Sequence, residues 1–221
     1  MRGGGGRRGG TEFRRLRTPR AAAVAGIAFG ALFATSIVLL GTSLPADTAT
    51  PWVHNGSRIA AALTLAPLAG IAFLWFLGVL RDRLGTFEDR FFATVALGSG
   101  LLFLATTFTS MALAGGILAV SRDVDSGRDG TVTLGRIVML HLNNVYGVRM
   151  AGVFMISLGT IWLRTGLMPR WLAIATYLLA LTLLVVVSFS FWVTLIFPVW
   201  AVVISVYVLT SPTSSPGAEA V

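Results

Sequence analysis

Residues 81–90 read Arg81-Asp82-Arg83-Leu84-Gly85-Thr86-Phe87-Glu88-Asp89-Arg90 and stand between two uncharged apolar runs, Ile59–Leu80 and Phe91–Val120. Each run exceeds the roughly 20 apolar residues that a helix needs to cross a bilayer. The turn between them carries stop and start signals in order. Gly85 is suited to the left-handed conformation that closes a helix. Thr86 stands three residues before Asp89, at capping-box spacing, and Glu88 and Asp89 fall where the dipole of the next helix favours negative charge. Together these features predict a transmembrane helical hairpin.

Composition sets the class. The 221-residue chain is 55% hydrophobic and 12% charged, against about a quarter charged in soluble domains. Bilayer hydrocarbon is the solvent that such a surface requires. Cysteine is absent, which excludes a disulfide framework, a thiol nucleophile and Cys-ligated metal. All 17 basic residues are Arg, a usage that fits a GC-rich bacterial genome.

Outward from the hairpin, four further apolar segments complete an all-α, polytopic bundle of six transmembrane helices. Ala21–Leu44 is too long for a signal-peptide core of about 7–15 residues and is read as a retained first span. Its Gly26-xxx-Gly30 stripe, extended by Ala34, permits close approach of another helix, in this chain or in a second copy. The second span contains Pro67, which is expected to kink it, and a small-residue stripe of Ala62, Ala66 and Gly70. Leu134–Arg164 reads as one long helix, and Trp171–Val187 and Trp192–Leu209 as the fifth and sixth spans. Residues 1–20 and 211–221 lack apolar periodicity and are expected to be disordered tails around a membrane domain of residues 21–210.

Charge sets the orientation. Residues 1–20 hold seven Arg, the turn holds Arg81, Arg83 and Arg90, and the fourth–fifth connection holds Arg164 and Arg170. The opposite loops hold Arg58, Arg122, Arg128 and Arg136. An excess of Arg marks the cytoplasmic side, so both termini are expected there. The N-terminal Arg tail is suited to anionic lipid headgroups, at about 1 kcal/mol per residue near the surface. No aromatic occurs in Met1–Gly10 to stack on bases, so nucleic acid is not an expected partner.

Sites are sparse. The acidic loop Asp123-Val-Asp125 resembles a calcium loop only at its start, because Arg128 occupies the glycine position and Leu134 the terminal Glu position. No phosphate loop, Ser-His-Asp order, His-Glu-x-x-His or cofactor motif is present, and no carboxylate falls inside a span. Two candidate clusters remain. One is the charged cytoplasmic turn of Arg81, Asp82, Arg83, Glu88, Asp89 and Arg90, read as a structural pivot. The other is a polar group on the fourth helix: His141, Asn143, Asn144, Tyr146 and Arg149. At about 100° per residue, Asn143, Tyr146 and Arg149 share a broad face with Arg136, and His141 and Asn144 lie off it. Such residues either form a polar mouth to the bundle or hydrogen-bond neighbouring helices. Arg149, the one charge inside a span, is expected to point inward and anchor its helix.

The second and fourth helices end alike, Gly70…Leu80-Arg81 and Gly152…Leu163-Arg164, and the helices after them open on Arg90-Phe-Phe-Ala93 and Arg170-Trp-Leu-Ala173. Either duplication of a hairpin or convergence on common interfacial chemistry accounts for this. Ala69-Gly-Ile-Ala-Phe-Leu-Trp-Phe76, Arg81–Gly85, Glu88–Thr94, Arg149–Ser157 and Pro169–Ala173 resemble segments of an uncharacterised family of multi-pass integral membrane proteins found mainly in actinobacteria. The resemblance covers about half the chain. It implies the bacterial cytoplasmic membrane and brings no known activity. A non-catalytic accessory protein, with a protein partner or as a homo-oligomer, is the expectation; a small transporter or channel for a neutral or weakly polar solute is the alternative.

Overall fold

A computed structural model describes residues 18–44, 55–84, 90–121, 130–166, 168–185 and 191–210. The architecture is a helical bundle: α1 Thr18–Ser43, α2 Gly56–Leu84, α3 Arg90–Val120, α4 Gly130–His141, α5 Val148–Thr165, α6 Arg170–Val185 and α7 Ile196–Thr210. A π-helical turn, Leu142–Gly147, joins α4 to α5, and a 3-10 turn, Phe191–Leu195, leads into α7. Helix is what apolar sequence must form in lipid, because every backbone N–H and C=O then bonds within its own segment.

Among the described residues, five stretches are long and apolar enough to cross a membrane: Ala21–Ser43, Gly56–Arg81, Phe91–Val120, Gly130–Thr165 and Trp192–Thr210. The expected fifth span, Trp171–Val187, is described only over α6, Arg170–Val185, a shorter apolar helix. α6 has 16 residues, about 24 Å at 1.5 Å per residue against a hydrocarbon core of about 30 Å. Residues 186 and 187, which the sequence reading added to it, lie outside the described residues. So do residues 1–17 and 211–221, the expected tails, although α1 already begins at Thr18.

Neighbours run around the bundle in the order α7, α1, α2, α3, α5, α6, with α4 continuing along α3. The centre is aromatic. Phe29 and Phe33 of α1, Phe73 of α2, Phe103 of α3, Phe154 of α5 and Phe197 of α7 are each at most 2% exposed. Their rings meet edge to face: Phe103–Phe197 at 4.8 Å and 67°, Phe73–Phe154 at 5.6 Å and 62°, Phe154–Phe197 at 5.8 Å and 88°. In lipid the hydrophobic effect does not drive helices together, so van der Waals packing must. Oriented aromatic pairs add about 0.5–1.5 kcal/mol each.

Short side chains tie adjacent helices across this core. Ser36 Oγ donates to Ala62 O at 2.8 Å, joining α1 to α2, and Ser110 Oγ donates to Met139 O at 2.9 Å, joining α3 to α4. Thr160 Oγ1 and Tyr177 Oη meet at 2.6 Å between α5 and α6; Trp200 Nε1 donates to Thr176 Oγ1 at 3.0 Å between α7 and α6.

The Gly26/Gly30 stripe is occupied within the chain. A Cβ at Gly26 would collide with Ser205 Oγ, and one at Gly30 with Val202 and the carbonyl oxygen of Pro198. This face of α1 is therefore the seat of α7, not a free surface for a second copy. Gly70 and Gly152 do the same work in the two hairpins: Gly70 faces Phe108 of α3, and Gly152 faces Ala180 O and Leu184 of α6.

Two prolines lie inside described helices. α2 runs unbroken through Pro67. Pro198 stands in the first turn of α7, directly after the 3-10 turn, where a missing N–H is tolerated. Gly166 closes α5 at φ +65°, with its N–H bonded to Trp162 O at 3.0 Å.

Candidate functional site

The long fourth helix does not continue as a plain α-helix through its polar residues. Across Leu142–Gly147 the backbone bonds widen to the π pattern, with the N–H of Val148 reaching back to Asn143 O. A π turn lodges one extra residue within the helix and shifts the register of everything after it; such turns recur at functional sites. Gly147 lets α3 come close at this level, since a Cβ there would lie 3.2 Å from Thr106 Oγ1.

The consequence is that two consecutive residues, Asn143 and Asn144, both turn inward. Asn143 is 1% exposed and Asn144 7%. Asn143 Nδ2 donates to Asn144 Oδ1 at 2.9 Å and to Thr194 Oγ1, also at 2.9 Å. Thr194 Oγ1 lies 3.5 Å from Asn144 Oδ1 and is itself 2% exposed. The triad therefore clips the π turn of the fourth helix to the 3-10 turn that opens α7. Two non-standard helical turns meet at one small amide–hydroxyl network.

The other residues of the expected group go elsewhere. His141 is exposed, and its Nδ1 donates to Ile137 O of its own helix at 2.9 Å. Tyr146 is 58% exposed. Arg149 is half-buried, and no hydrogen bond or ion pair joins its guanidinium to another described residue. The ideal-helix face that grouped Asn143 with Tyr146 and Arg149 is split by the π turn, which pairs Asn143 with Asn144. The inward anchoring expected of Arg149 is replaced by that amide pair.

Thr194 was not picked out in the sequence. Its signal was a lone hydroxyl inside the apolar run Phe191–Pro198. The same signal, equally weak, belongs to Thr176.

Of the charged turn, Arg81, Asp82 and Arg83 lie in the last turn of α2, Arg81 exposed, and Arg90 opens α3. Glu88 and Asp89, with Gly85, lie outside the described residues. Arg164, at the same end of the bundle, stacks its guanidinium over Phe92 at 4.9 Å, linking the end of α5 to the start of α3.

Chemically, the triad offers neutral donors and acceptors that are already bonded to one another. The bundle centre is the phenylalanine layer, to which five helices each contribute a ring. No known protein family, curated protein or solved structure matches this chain.

Proposed function

We propose that this is a multi-pass protein of the bacterial cytoplasmic membrane, with six spans and both termini in the cytoplasm, that acts without catalysis as an accessory or interaction subunit. The phenylalanine layer carries the reading. A solute path needs polar lining through the bundle, and ion pathways usually place ionisable groups within it. Here the centre is filled by six rings at most 2% exposed, and the spans hold no carboxylate. Work at the surface remains: seating a partner helix, holding lipid, or presenting the basic tail and charged turn to the cytoplasm.

The test is flux. Purified protein reconstituted into liposomes should release entrapped urea, glycerol and potassium no faster than protein-free vesicles. Replacing Phe103 and Phe197 together by Ala should weaken the seal and the fold at once. Saturable flux through the unmodified protein would overturn the reading.

One observation favours the alternative of a carrier for a small, weakly polar solute. The Asn143–Asn144–Thr194 triad joins two non-α helical turns, the kind of junction at which spans of transporters open. On that reading, solute displaces the Thr194 hydroxyl from the amide pair, and substituting Thr194 would change a measurable flux.

A further inference from the structure

α6 packs along α5, and α7 along α1. Between α6 and α7 lies an apolar cavity of about 400 Å³, a size typical of small-molecule sites. Its walls are aliphatic, Leu179 on α6 and Val199 on α7 among them, and the exposed indoles of Trp171 and Trp192 also line it. One polar pair belongs to the same lining: Trp200 Nε1 donates to Thr176 Oγ1 at 3.0 Å. Both residues are otherwise buried, Thr176 with 1% of its surface exposed.

Thr176 differs from the other threonines of this pair of helices. Thr160, Thr165 and Thr182 each donate to the carbonyl four residues back, and Thr176 does not. A Cβ at Gly159 of α5 would lie 3.7 Å from its methyl group, so the methyl faces α5 while the hydroxyl meets Trp200 of α7. There it accepts one bond, and its own O–H has no acceptor among the described residues. A hydroxyl is a donor as well as an acceptor, and a buried donor left unmet is costly. Depth then selects the acceptor. Thr176 lies six residues beyond Arg170, about 9 Å along α6 at 1.5 Å per residue. Arg164 and Arg170 flank the turn between α5 and α6 and mark the edge of the hydrocarbon. Phospholipid ester carbonyls stay in the interfacial region at that edge. An acceptor at the depth of Thr176 belongs to a lipid with no charged headgroup. Indoles in the lining favour a flat ring over an acyl chain, because offset aromatic pairs gain energy beyond their area burial.

We infer that the groove between α6 and α7 binds a lipid-soluble quinone, its ring against the groove's indoles and a ring carbonyl accepting the hydrogen bond of the Thr176 hydroxyl. An uncharged ring with a carbonyl and an apolar tail meets each demand of the site: it enters from the bilayer, reaches the depth of Thr176 and leaves no polar group of its own in hydrocarbon. The inference rests on the proposed membrane location and adds an occupant to it. Vesicle flotation tests that premise separately.

The experiment is native mass spectrometry of the full chain released from a mild non-ionic detergent. The probes are a decyl-substituted naphthoquinone, decylnaphthalene with the same ring and tail but no carbonyl, and phosphatidylcholine as competitor. The wild-type protein should retain the naphthoquinone in preference to decylnaphthalene, and phosphatidylcholine should not displace it. Thr176→Val should lower that occupancy by about fivefold, the loss expected for one neutral hydrogen bond; Thr176→Ser should preserve it. Trp200→Phe breaks the bond between α6 and α7 but leaves the Thr176 hydroxyl, and should keep the preference for the quinone. If Thr176→Val does not fold, Val199→Trp, at an exposed wall position, must fill the groove and abolish retention. Equal retention of the two ring compounds, displacement by phosphatidylcholine, an equal loss in Trp200→Phe, or unchanged occupancy in the variant that folds would overturn the site. A chain that fails to float with vesicles refutes the membrane premise; one that floats but shows no preference for the carbonyl compound refutes the site alone.

Discussion

Asn143 Nδ2 donates to Thr194 Oγ1 across 2.9 Å, and through that bond the π turn of the fourth helix is held to the 3-10 turn that begins α7. The two residues are 51 positions apart and both nearly inaccessible. Polar contacts between membrane helices average about 0.6 kcal/mol and reach about 1.7 in double-mutant cycles. A shared donor within a buried network belongs toward the upper end.

Asn143→Ala and Thr194→Val should each lower the thermal midpoint of the detergent-solubilised protein. The double variant should be little worse than the poorer single one, with a coupling energy of about 1–2 kcal/mol. Simple additivity would show that the bond contributes nothing to holding α7.

At the contact of α1 with α7, two substitutions should act in opposite directions. Ser205 Oγ is buried against Gly26 with no hydrogen-bond partner among the described residues. Ser205→Ala should therefore be neutral or stabilising, by up to about 1–3 kcal/mol for a removed unsatisfied group. Gly26→Val should drive the helices apart, at about 1–3 kcal/mol for overpacking. Gly98, where a Cβ would have nothing within 4 Å, is the control: Gly98→Ala should leave the elution profile and melting curve unchanged.

Gly166 ends α5 with φ at +65°. A β-branched residue is strained there, by about 1–2 kcal/mol for left-handed backbone. Gly166→Val should reduce the yield of monodisperse protein, and Gly166→Asn should recover most of it, because Asn tolerates that region. Equal yields for the two variants would show that the turn is not limiting.

The orientation is open to a direct test because the chain has no cysteine. Single cysteines at Asp125 and Gly85 should differ in whole cells: an impermeant maleimide should label the first and label the second only after lysis. Labelling of Gly85 from outside would invert the topology.

The approximate positions of the apolar helices were legible in the sequence for a simple reason. Lipid offers no partner for the backbone, so an uncharged apolar run of sufficient length has little choice but helix. Ile59–Leu80 and Phe91–Val120 fall within α2 and α3, and Gly166 stops α5 as its residue type suggests. The face that each helix turns inward was not legible. In water, apolar periodicity marks the buried side; here both lipid and core are apolar, so Phe73, fully buried, and Trp75, 71% exposed, stand two residues apart with nothing in composition to separate them. Packing alone brings Phe29, Phe73, Phe103, Phe154 and Phe197 to one layer and fills the Gly26/Gly30 stripe with α7. The pairing of Asn143 with Asn144 was further concealed by the π turn, whose extra residue defeats any count at fixed angular spacing. Residue types and run lengths are enough to establish a set of apolar helices with Arg near their ends. Which side chains meet follows from packing in three dimensions, because in lipid that choice rests on shape and a few hydrogen bonds.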